Sequence, residues 1–543
     1  MSSSKLWWEK QRHELQPLGI LALVFFGVTS AIGLHRYFTF YASYDQGIFG
    51  QLFWNGIHGR FFQSSLSSVL SGAVIHDQQV PTVFYHRLGQ HFDPIQLLWH
   101  PIYALVPSPA TLVVLQVAFV TVAGLVLYAL ARQYLQPNLA WMIVAGFYGS
   151  VAVVGPILGN YHDLSQIPLF LFTLLLALER RWWGVFWLMA VCTVLARQDA
   201  GVILFGLGLY LLTSRRFPWA GVGLCSLGFG YVLLASNGLM PLFSNDISQR
   251  FMIERFGHFA TGNEASSLEI LWSIVTNPGT IVRHILSDVD RKLGYLLGQT
   301  LTLVLVPLIS PSAWVMVSTP LAQVFLQGGD SRLSIYIRYS ITLAPGLFYG
   351  AILWWAGHQA QFRSRLRAIW TGLIILSLLI TVAYNPHRSL SFLVPDSFVP
   401  WVHVPLTRQW EHAANLRSLI QQVPPTASVT ATTYVVPHLA HRRAVLRSPF
   451  IAYRDDDQQV KNVDYILLDL WQLQTYQVAF KEERLALTDL LTRVDSWLQD
   501  QNYGLQAIQD DVILLQRGIP SKPELIPIWR DLQRRSKSVL KPL

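Results

Sequence analysis

The side chains of this sequence that are suited to chemistry are acids, histidines and arginines placed at the ends of long apolar runs. Asp45 comes directly after the first of these runs and precedes a stretch with the apolar spacing of an amphipathic helix. A carboxylate in that place suits a general base that takes a proton from an acceptor hydroxyl. It also suits the N-cap of a helix lying at a membrane surface. Both interpretations of Asp45 remain open from the sequence.

Two histidines and an acid, His86, His91 and Asp93, lie within eight residues of one another. Imidazoles and carboxylates are ligands for divalent metal ions, although this spacing matches no established zinc pattern. Asp93 also precedes Pro94, and proline at the first helical position is a strong signal for a helix start. A divalent metal ion is therefore one interpretation of this segment, and a capped helix is the other.

Three more candidates, His162, Asp163 and Asp199, lie in short turns between later apolar runs. Taken singly, each acid fits a helix cap. Asp163 and Asp199, together with Asp45 and Asp93, form a group of acids that the topology below places on one face of a membrane, and His162 lies beside them. We therefore count all five residues as candidates for catalysis.

Arg332, Arg338 and Tyr339 follow a late apolar run and are suited to binding a phosphate through charge-assisted hydrogen bonds. Arginines in this place also serve as ordinary anchors at a membrane interface. A different pair, Asp288 and Asp290, superficially resembles the D-x-D motif of soluble nucleotide-sugar transferases. It falls in a loop expected outside the cell, where nucleotide sugars are absent, so a solvated helix face is the preferred interpretation.

The composition indicates which kind of structure positions these residues. Of 543 residues, 52% are hydrophobic and 13% are charged, whereas a soluble protein of this length has about 25% charged residues. Charged side chains are sparse before residue 385 and ordinary in number after it. The net charge is +9, but the sequence contains no block of basic residues interleaved with aromatic residues, so no nucleic-acid partner is predicted.

Charge-free apolar runs predict about eleven transmembrane helices between residues 17 and 384, since a bilayer core takes about 20 residues. The runs are 17–34, 110–131, 139–158, 164–178, 182–196, 200–214, 217–238, 296–312, 313–328, 339–360 and 368–384. Most of the short loops rich in Lys and Arg fall on one side, which places residues 1–16 in the cytoplasm. The large loops 35–109 and 239–295 and everything after 385 are then extracytoplasmic.

After residue 385 the pattern changes to alternating helices and strands, which predicts a soluble α/β domain at 385–518. Helices are predicted at 408–422 and 481–500, and strands at 428–432, 465–470, 503–508 and 512–517. Residues 519–543 form a basic tail. The predicted fold class is an α-helical polytopic membrane protein with a C-terminal soluble α/β domain, located in the inner (plasma) membrane.

Several short motifs, spread over about residues 17–517, resemble a bacterial family of predicted membrane proteins of unknown function. They are Tyr44-Asp-Gln-Gly-Ile-Phe-Gly-Gln-Leu-Phe-Trp54, His58-Gly59, His91-Phe-Asp-Pro94, Pro101-Ile-Tyr103, Pro107, His162, Arg197-Gln-Asp199-Ala-Gly201, Arg338-Tyr339, Pro345 and Pro437-His-Leu439. That family in turn resembles the GT-C superfamily of membrane glycosyltransferases, by analogy of fold.

The resemblance to GT-C enzymes implies a polyprenyl-phosphate-linked sugar as donor and an essential acid in the first extracytoplasmic loop, the position that Asp45 occupies. It implies transfer of a hexose or pentose to a cell-envelope acceptor, with Arg338 and Arg332 neutralising the leaving phosphate. The acceptor motif of that superfamily is missing from residues 385–518. A carrier or flippase for lipid-linked sugars and a non-catalytic envelope assembly protein are the alternatives.

Overall fold

The computed structural model describes residues 3–260, 262, 264–500 and 502–540. Residues 1 and 2 of the expected cytoplasmic segment, and 541–543 of the expected tail, lie outside the described residues. The chain divides into two compact units. The first contains Met1–Gly33, Leu88–Trp99 and Val113–Asn385, and the second contains Leu34–Arg87, His100–Leu112 and Pro386–Leu543.

The first unit is built from apolar helices joined by short turns of 3₁₀- and π-helix. Most of the two long helices Ser3–Phe38 and Pro109–Ala131 belongs to it. The other α-helices are Pro137–Tyr148, Val151–Ile157, Ile167–Arg180, Trp183–Ala196, Gly201–Thr213, Pro218–Leu234, Met252–Phe256, Ser267–Thr276, Pro278–Leu286, Val289–Thr300, Val306–Ile309, Pro311–Leu326, Ala344–Ala356 and Ser364–Ala383.

Among the described residues, four helices are long and apolar enough to cross a membrane. They are Leu15–Phe38, Pro109–Ala131, Pro218–Leu242 and Ser364–Ala383, and the bent pair Pro137–Tyr148 and Val151–Ile157 makes a fifth if it is one span. The predicted number of eleven spans is not confirmed. Other apolar runs fold into helices shorter than the roughly 20 residues that a bilayer core requires, such as Gly201–Thr213 with 13 residues.

Glycines bring two of these helices unusually close together. A Cβ atom at Gly201 would lie 2.3 Å from the carbonyl oxygen of Gly228, and one at Gly228 would lie 2.4 Å from the carbonyl oxygen of Gly201. The absence of both side chains therefore lets the helix Gly201–Thr213 pack backbone to backbone against Pro218–Leu234. This contact fixes the start of the helix that follows the turn containing Asp199.

The second unit combines short helices with all the strands among the described residues. Its helices are Tyr44–Ile57, Ser65–Val69, Gly72–Ile75, His100–Leu105, Leu406–Ile420, Val436–Leu439, Leu470–Tyr476, Lys481–Gln499 and Leu525–Val539. Its strands are β1 (Ser397–Phe398), β2 (Trp401–Val402), β3 (Val429–Ala431), β4 (Val445–Arg447), β5 (Ala452–Arg454), β6 (Val460–Asn462), β7 (Tyr465–Asp469), β8 (Tyr503–Gln509) and β9 (Val512–Arg517).

Five strands form one mixed sheet in the order β4-β3-β7-β9-β8. The pairs β3–β4 and β3–β7 are parallel, and β7–β9 and β8–β9 are antiparallel. The predicted strands at 428–432, 465–470, 503–508 and 512–517 and the helices at 408–422 and 481–500 agree with these elements to within two residues. A C-terminal region with strands is therefore confirmed.

The segment 519–543, which was expected to be a basic tail, contains the helix Leu525–Val539. Trp529 and Leu532 of this helix are buried in the same apolar core as Leu487 and Leu515. Its basic residues lie on the opposite face, because an amphipathic helix places apolar side chains three or four residues apart on one side. The helix is part of the second unit.

A buried histidine joins three elements of the second unit. Nε2 of His412 lies 3.0 Å from Oδ2 of Asp469, and Nδ1 lies 2.7 Å from Oδ2 of Asp510. The His412 ring also packs on Trp471, with ring centres 4.1 Å apart. Burial alone would lower the pKa of His412, but Asp469 and Asp510 raise it to about 9. Both ring nitrogens therefore donate hydrogen bonds at neutral pH.

The raised pKa of His412 makes the stability of this region depend on pH. The protonated form adds stability that is fully present below the unfolded pKa of 6.5 and is lost as the pH rises through about 9. We expect the opening free energy of the helix Leu406–Ile420, measured by hydrogen exchange, to fall by on the order of 3 kcal/mol over that range. His412→Gln should remove most of this slope, and an equally steep profile in the variant would contradict the assignment.

Candidate anion site

The turn after the helix Trp183–Ala196 contains a buried ion pair. Arg197 is only 1% exposed, and its Nε lies 3.0 Å from Oδ1 of Asp199. The turn is short because a new helix starts at Gly201. Asp199 also accepts a hydrogen bond of 3.1 Å from Nε2 of Gln323.

A second arginine approaches the same carboxylate. Arg255 is 7% exposed, and its Nη1 lies 3.9 Å from Oδ2 of Asp199. The backbone carbonyl of Arg255 accepts a hydrogen bond of 2.7 Å from the amide of Gly328. Gly329 then adopts φ +96°, a left-handed conformation that glycine adopts without strain. This turn directs the chain into the 3₁₀ segment that carries Arg332.

Three guanidinium groups surround the ring of Tyr339. The distances from their central carbon atoms to the ring centre are 4.4 Å for Arg332, 5.3 Å for Arg197 and 5.6 Å for Arg338. Arginines attract the negative face of an aromatic ring, so Tyr339 offsets part of their mutual repulsion. Burial and the positive charge of Arg255 lower the pKa of Arg332 to about 10.

A small cavity of about 20 Å³ lies beside this group. It is lined by Asp199, Gln323, Gln327 and Tyr339 together with apolar side chains. A volume of this size holds about one water molecule. Arg332 donates to Oε1 of Gln327, so the arginine is held by a neutral amide at the cavity wall. A larger ligand requires these two side chains to move.

The turn containing His162 and Asp163 belongs to the same unit. Both residues are buried, and Asp163 begins a 3₁₀ helix in which its Oδ1 accepts a hydrogen bond of 3.0 Å from the amide of Leu164. His162 occupies the N-cap position, where its side chain makes no capping hydrogen bond. The charge of Asp163 acts on Arg197 and raises the pKa of that guanidinium.

Asp93 is fully buried, and its segment is connected by hydrogen bonds to the segment that contains His162 and Asp163. Oη of Tyr161 donates a hydrogen bond of 2.7 Å to Oε1 of Gln96, and Nε1 of Trp99 donates one of 2.8 Å to Oε1 of Gln166. A 3₁₀ helix starts at Pro94, directly after Asp93, as the alternative interpretation predicted. The segment is also tied to the other turn, because the amide of Phe92 donates to Oε1 of Gln198 at 3.0 Å.

The proposed metal ligands are divided between the two units, with His91 and Asp93 in the first and His86 in the second. His91 contacts the amide of Gln198 at 3.3 Å, whereas His86 belongs to the second unit and pairs with Gln63 in a β-bridge. Among the described residues, no group of three or more His, Cys, Asp or Glu side chains is placed to hold a metal ion. A divalent metal ion remains a prediction from the sequence.

Asp45 also belongs to the second unit, where it lies in the first turn of the helix Tyr44–Ile57. Ser43, not Asp45, occupies the N-cap position, so the capping interpretation of Asp45 is wrong. The helix is buried on most sides, since Gln46 donates to the carbonyl of Pro109 at 2.7 Å and Gln51 to Oγ of Ser65 at 2.9 Å. Asp45 itself remains partly exposed.

The structure thus brings Asp199, Arg332, Arg338 and Tyr339 together. It adds two arginines that were not among the candidates. Arg197 lies two residues before Asp199 in the sequence, so its charge at the end of an apolar run was a usable signal. Arg255 lies in the long segment 239–295 with no motif around it, and no sequence signal pointed to it.

The geometry favours a positioning role for Asp199 over that of a base. Although burial by itself would raise the pKa of Asp199, the positive charges of Arg197, Arg255 and Arg332 lower it below its ordinary value. A carboxylate that binds protons this weakly is a poor general base at neutral pH. Its contacts instead hold two guanidinium groups in a fixed orientation.

Replacing Asp199 by Asn should destabilise the first unit, because it removes the carboxylate that pairs directly with the buried Arg197. Removing one partner of a buried ion pair costs about 3–5 kcal/mol, so the melting temperature in detergent should fall clearly. Asp290→Asn, a change at an exposed acid of the same unit, serves as control. If the Asp199→Asn protein melted with the wild type, Asp199 would have no such role.

Residues 36–514 match the model of a family described as "Predicted membrane protein (DUF2079)", which covers most of the chain. No curated protein matches the chain. The resemblance to a family of predicted membrane proteins is therefore confirmed, and with it the membrane class indicated by the apolar helices. The chain belongs to the family of predicted membrane proteins DUF2079.

Proposed function

We propose that this protein is a membrane glycosyltransferase that moves a hexose or pentose from a polyprenyl-phosphate donor to a cell-envelope acceptor. The observation that carries the proposal is the cluster of Arg197, Arg332 and Arg338 around Tyr339, with Arg255 beside Asp199. Buried guanidinium groups are costly unless they meet negative charge. A phosphate is the anion that arginines bind best, through paired charge-assisted hydrogen bonds.

A lipid-linked donor suits an arginine site in a chain with membrane-spanning helices. Arg197 is the residue directly after the apolar helix Trp183–Ala196, and Arg338 and Tyr339 come just before the apolar segment Ser340–Ala356. A phosphate headgroup bound at these helix ends leaves a polyprenyl tail free to stay in the bilayer. The GT-C resemblance supports the same donor by analogy of fold.

In the proposed reaction, the acceptor oxygen forms a bond to the anomeric carbon while the bond from that carbon to the phosphate oxygen breaks. The electron pair of the broken bond leaves with the lipid phosphate, whose growing negative charge the arginines stabilise. Asp45 takes the proton of the acceptor hydroxyl.

The proposal places residues 1–16 in the cytoplasm and the C-terminal domain outside the cell, in the inner (plasma) membrane. The arginines of the short loops support this orientation. In a variant lacking Cys192 and Cys225, a cysteine at the exposed position Gln458 should react with an impermeant reagent in intact cells, and one at Ser3 should not. The reverse pattern would place the proposed chemistry in the cytoplasm.

Asp45→Asn tests the catalytic step. The change keeps the size of the side chain but removes the charge, and an acid in the first turn of a helix contributes at most about 1 kcal/mol to stability. The protein should therefore insert and melt nearly as the wild type does. A general base contributes about 100-fold to 10,000-fold to rate, so release of labelled sugar from the donor lipid should collapse by that factor.

Asp77→Asn, a change at an exposed acid of the same loop, is the matched control and should keep wild-type turnover. Near wild-type turnover by Asp45→Asn would show that Asp45 is not the base. If the wild type and the variant bind lipid-linked sugars equally and turn over none of them, the carrier or flippase becomes the better account.

A further inference from the structure

Two short helices in the long segment 239–295 leave an apolar surface uncovered. Ser267–Thr276 and Pro278–Leu286 are separated only by Asn277, and together they are referred to as the loop helices. Four large apolar side chains of the first helix are between 40% and 70% exposed, namely Leu268, Leu271, Trp272 and Val275. Their spacing of three or four residues places all four on one side of the helix.

The second loop helix is covered even less. None of its residues is buried within the described structure, and Val282, Ile285 and Leu286 are each about half exposed or more. A surface helix in water presents mainly polar side chains on its exposed side. Large apolar side chains dominate the exposed side of both loop helices instead. Contact with water alone therefore does not account for this surface.

The opposite side of the loop helices is attached to the first unit. Ile270 is 4% exposed and shares an apolar core with Leu326, the last residue of the helix Pro311–Leu326. Ile274 and Ile281 pack against the same core. This attachment uses one apolar side of the pair and so fixes which side stays uncovered.

Side chains also bind backbone groups at both ends of the pair. The hydroxyl of Ser266 accepts a hydrogen bond of 3.1 Å from the amide of Glu269 at the start of the first helix. Lys292 donates to the backbone carbonyls of His284 and Ser287 at the end of the second helix. Helix ends otherwise leave amides and carbonyls unpaired, and unpaired groups are costly next to lipid. The pair is therefore suited to a place with little water.

The same unit contains helices long enough to cross a bilayer, such as Pro218–Leu242 and Ser364–Ala383, so a membrane adjoins it. The loop helices are too short to cross. Their 10 and 9 residues extend about 15 Å, whereas a bilayer core is about 30 Å thick. A helix with an apolar side that does not span lies instead in the plane of the membrane interface, where tryptophan is enriched.

We infer that the loop helices lie in the membrane interface, with Trp272, Val275 and Val282 among the upper parts of the lipid acyl chains. The partner of this surface is the lipid bilayer itself. Its chemistry fits a surface that combines an exposed tryptophan with branched apolar side chains and has no length to span. The inference goes beyond the proposed function and holds whichever ligand the arginines bind.

Depth-dependent fluorescence quenching tests this placement. In a full-length variant lacking Cys192 and Cys225, Val275→Cys or Val282→Cys is labelled with an environment-sensitive fluorophore and placed in phosphatidylcholine nanodiscs. A quenching spin label is attached to the lipid headgroup, to the top of the acyl chain or to its end. An interfacial helix buries its apolar side about 5–10 Å into the boundary between headgroups and acyl chains, so the label at the top of the chain should quench both sites most.

Gln458→Cys, at an exposed residue in the turn between β5 and β6, is the control and should be quenched by none of the lipid labels. Val275 and Val282 are both exposed or partly exposed, and they lie on different helices, so either site provides the test if the other variant fails to fold.

Two results would overturn the inference. Strongest quenching by the label at the end of the acyl chain would place the loop helices in the bilayer core. Quenching of neither site by any lipid label would show that water, another part of the protein or a second copy of the chain covers this surface.

Discussion

The carboxylate of Asp199 is the contact on which the rest of the candidate site depends. It lies between Arg197 and Arg255, two arginines that are almost fully buried, and it holds Gln323 of a neighbouring helix. Without this carboxylate, the guanidinium groups would repel one another in a medium that screens charge poorly. Nη2 of Arg197 and Nε of Arg255 nevertheless remain buried without an acceptor among the described residues. These unused donors make the cluster a candidate for binding an anion.

The helices around this contact explain how a short turn can hold so much charge. The glycines of the two helices that follow Asp199 let their backbones touch, which fixes the start of the helix at Gly201. Thr319 donates to the carbonyl of Val202 at 2.8 Å and so connects the helix that carries Gln323 to the same point. Apolar packing therefore orients the polar groups.

The sequence predicted some of this arrangement and missed the rest for physical reasons. Asp199, Arg332, Arg338 and Tyr339 were recognisable because charged residues at the ends of apolar runs are few. Arg255 was not, since its approach to Asp199 depends on how a long loop folds back. The helix Tyr44–Ile57 was expected at a membrane surface, but Gln46 and Gln51 find buried hydrogen-bond partners that no periodicity reveals.

The prediction of helices and strands from the sequence has similar limits. In the C-terminal region, buried strands such as β7 and β9 were predictable from their continuous apolar runs. The strands β4, β5 and β6 lack the full burial of β3, which is equally short and was predicted. The number of transmembrane helices was not predictable, because an apolar run of 13 to 16 residues can be buried by its neighbours without spanning a bilayer.

The most direct test of the central claim is an electron-microscopy map of the protein in nanodiscs with farnesyl phosphate bound. The account predicts phosphate density with oxygens about 3 Å from Nη2 of Arg197 and from the guanidinium of Arg255, and Gln327 displaced from Arg332. Phosphate density elsewhere in the molecule, with this cluster unchanged from its ligand-free geometry, would contradict the account.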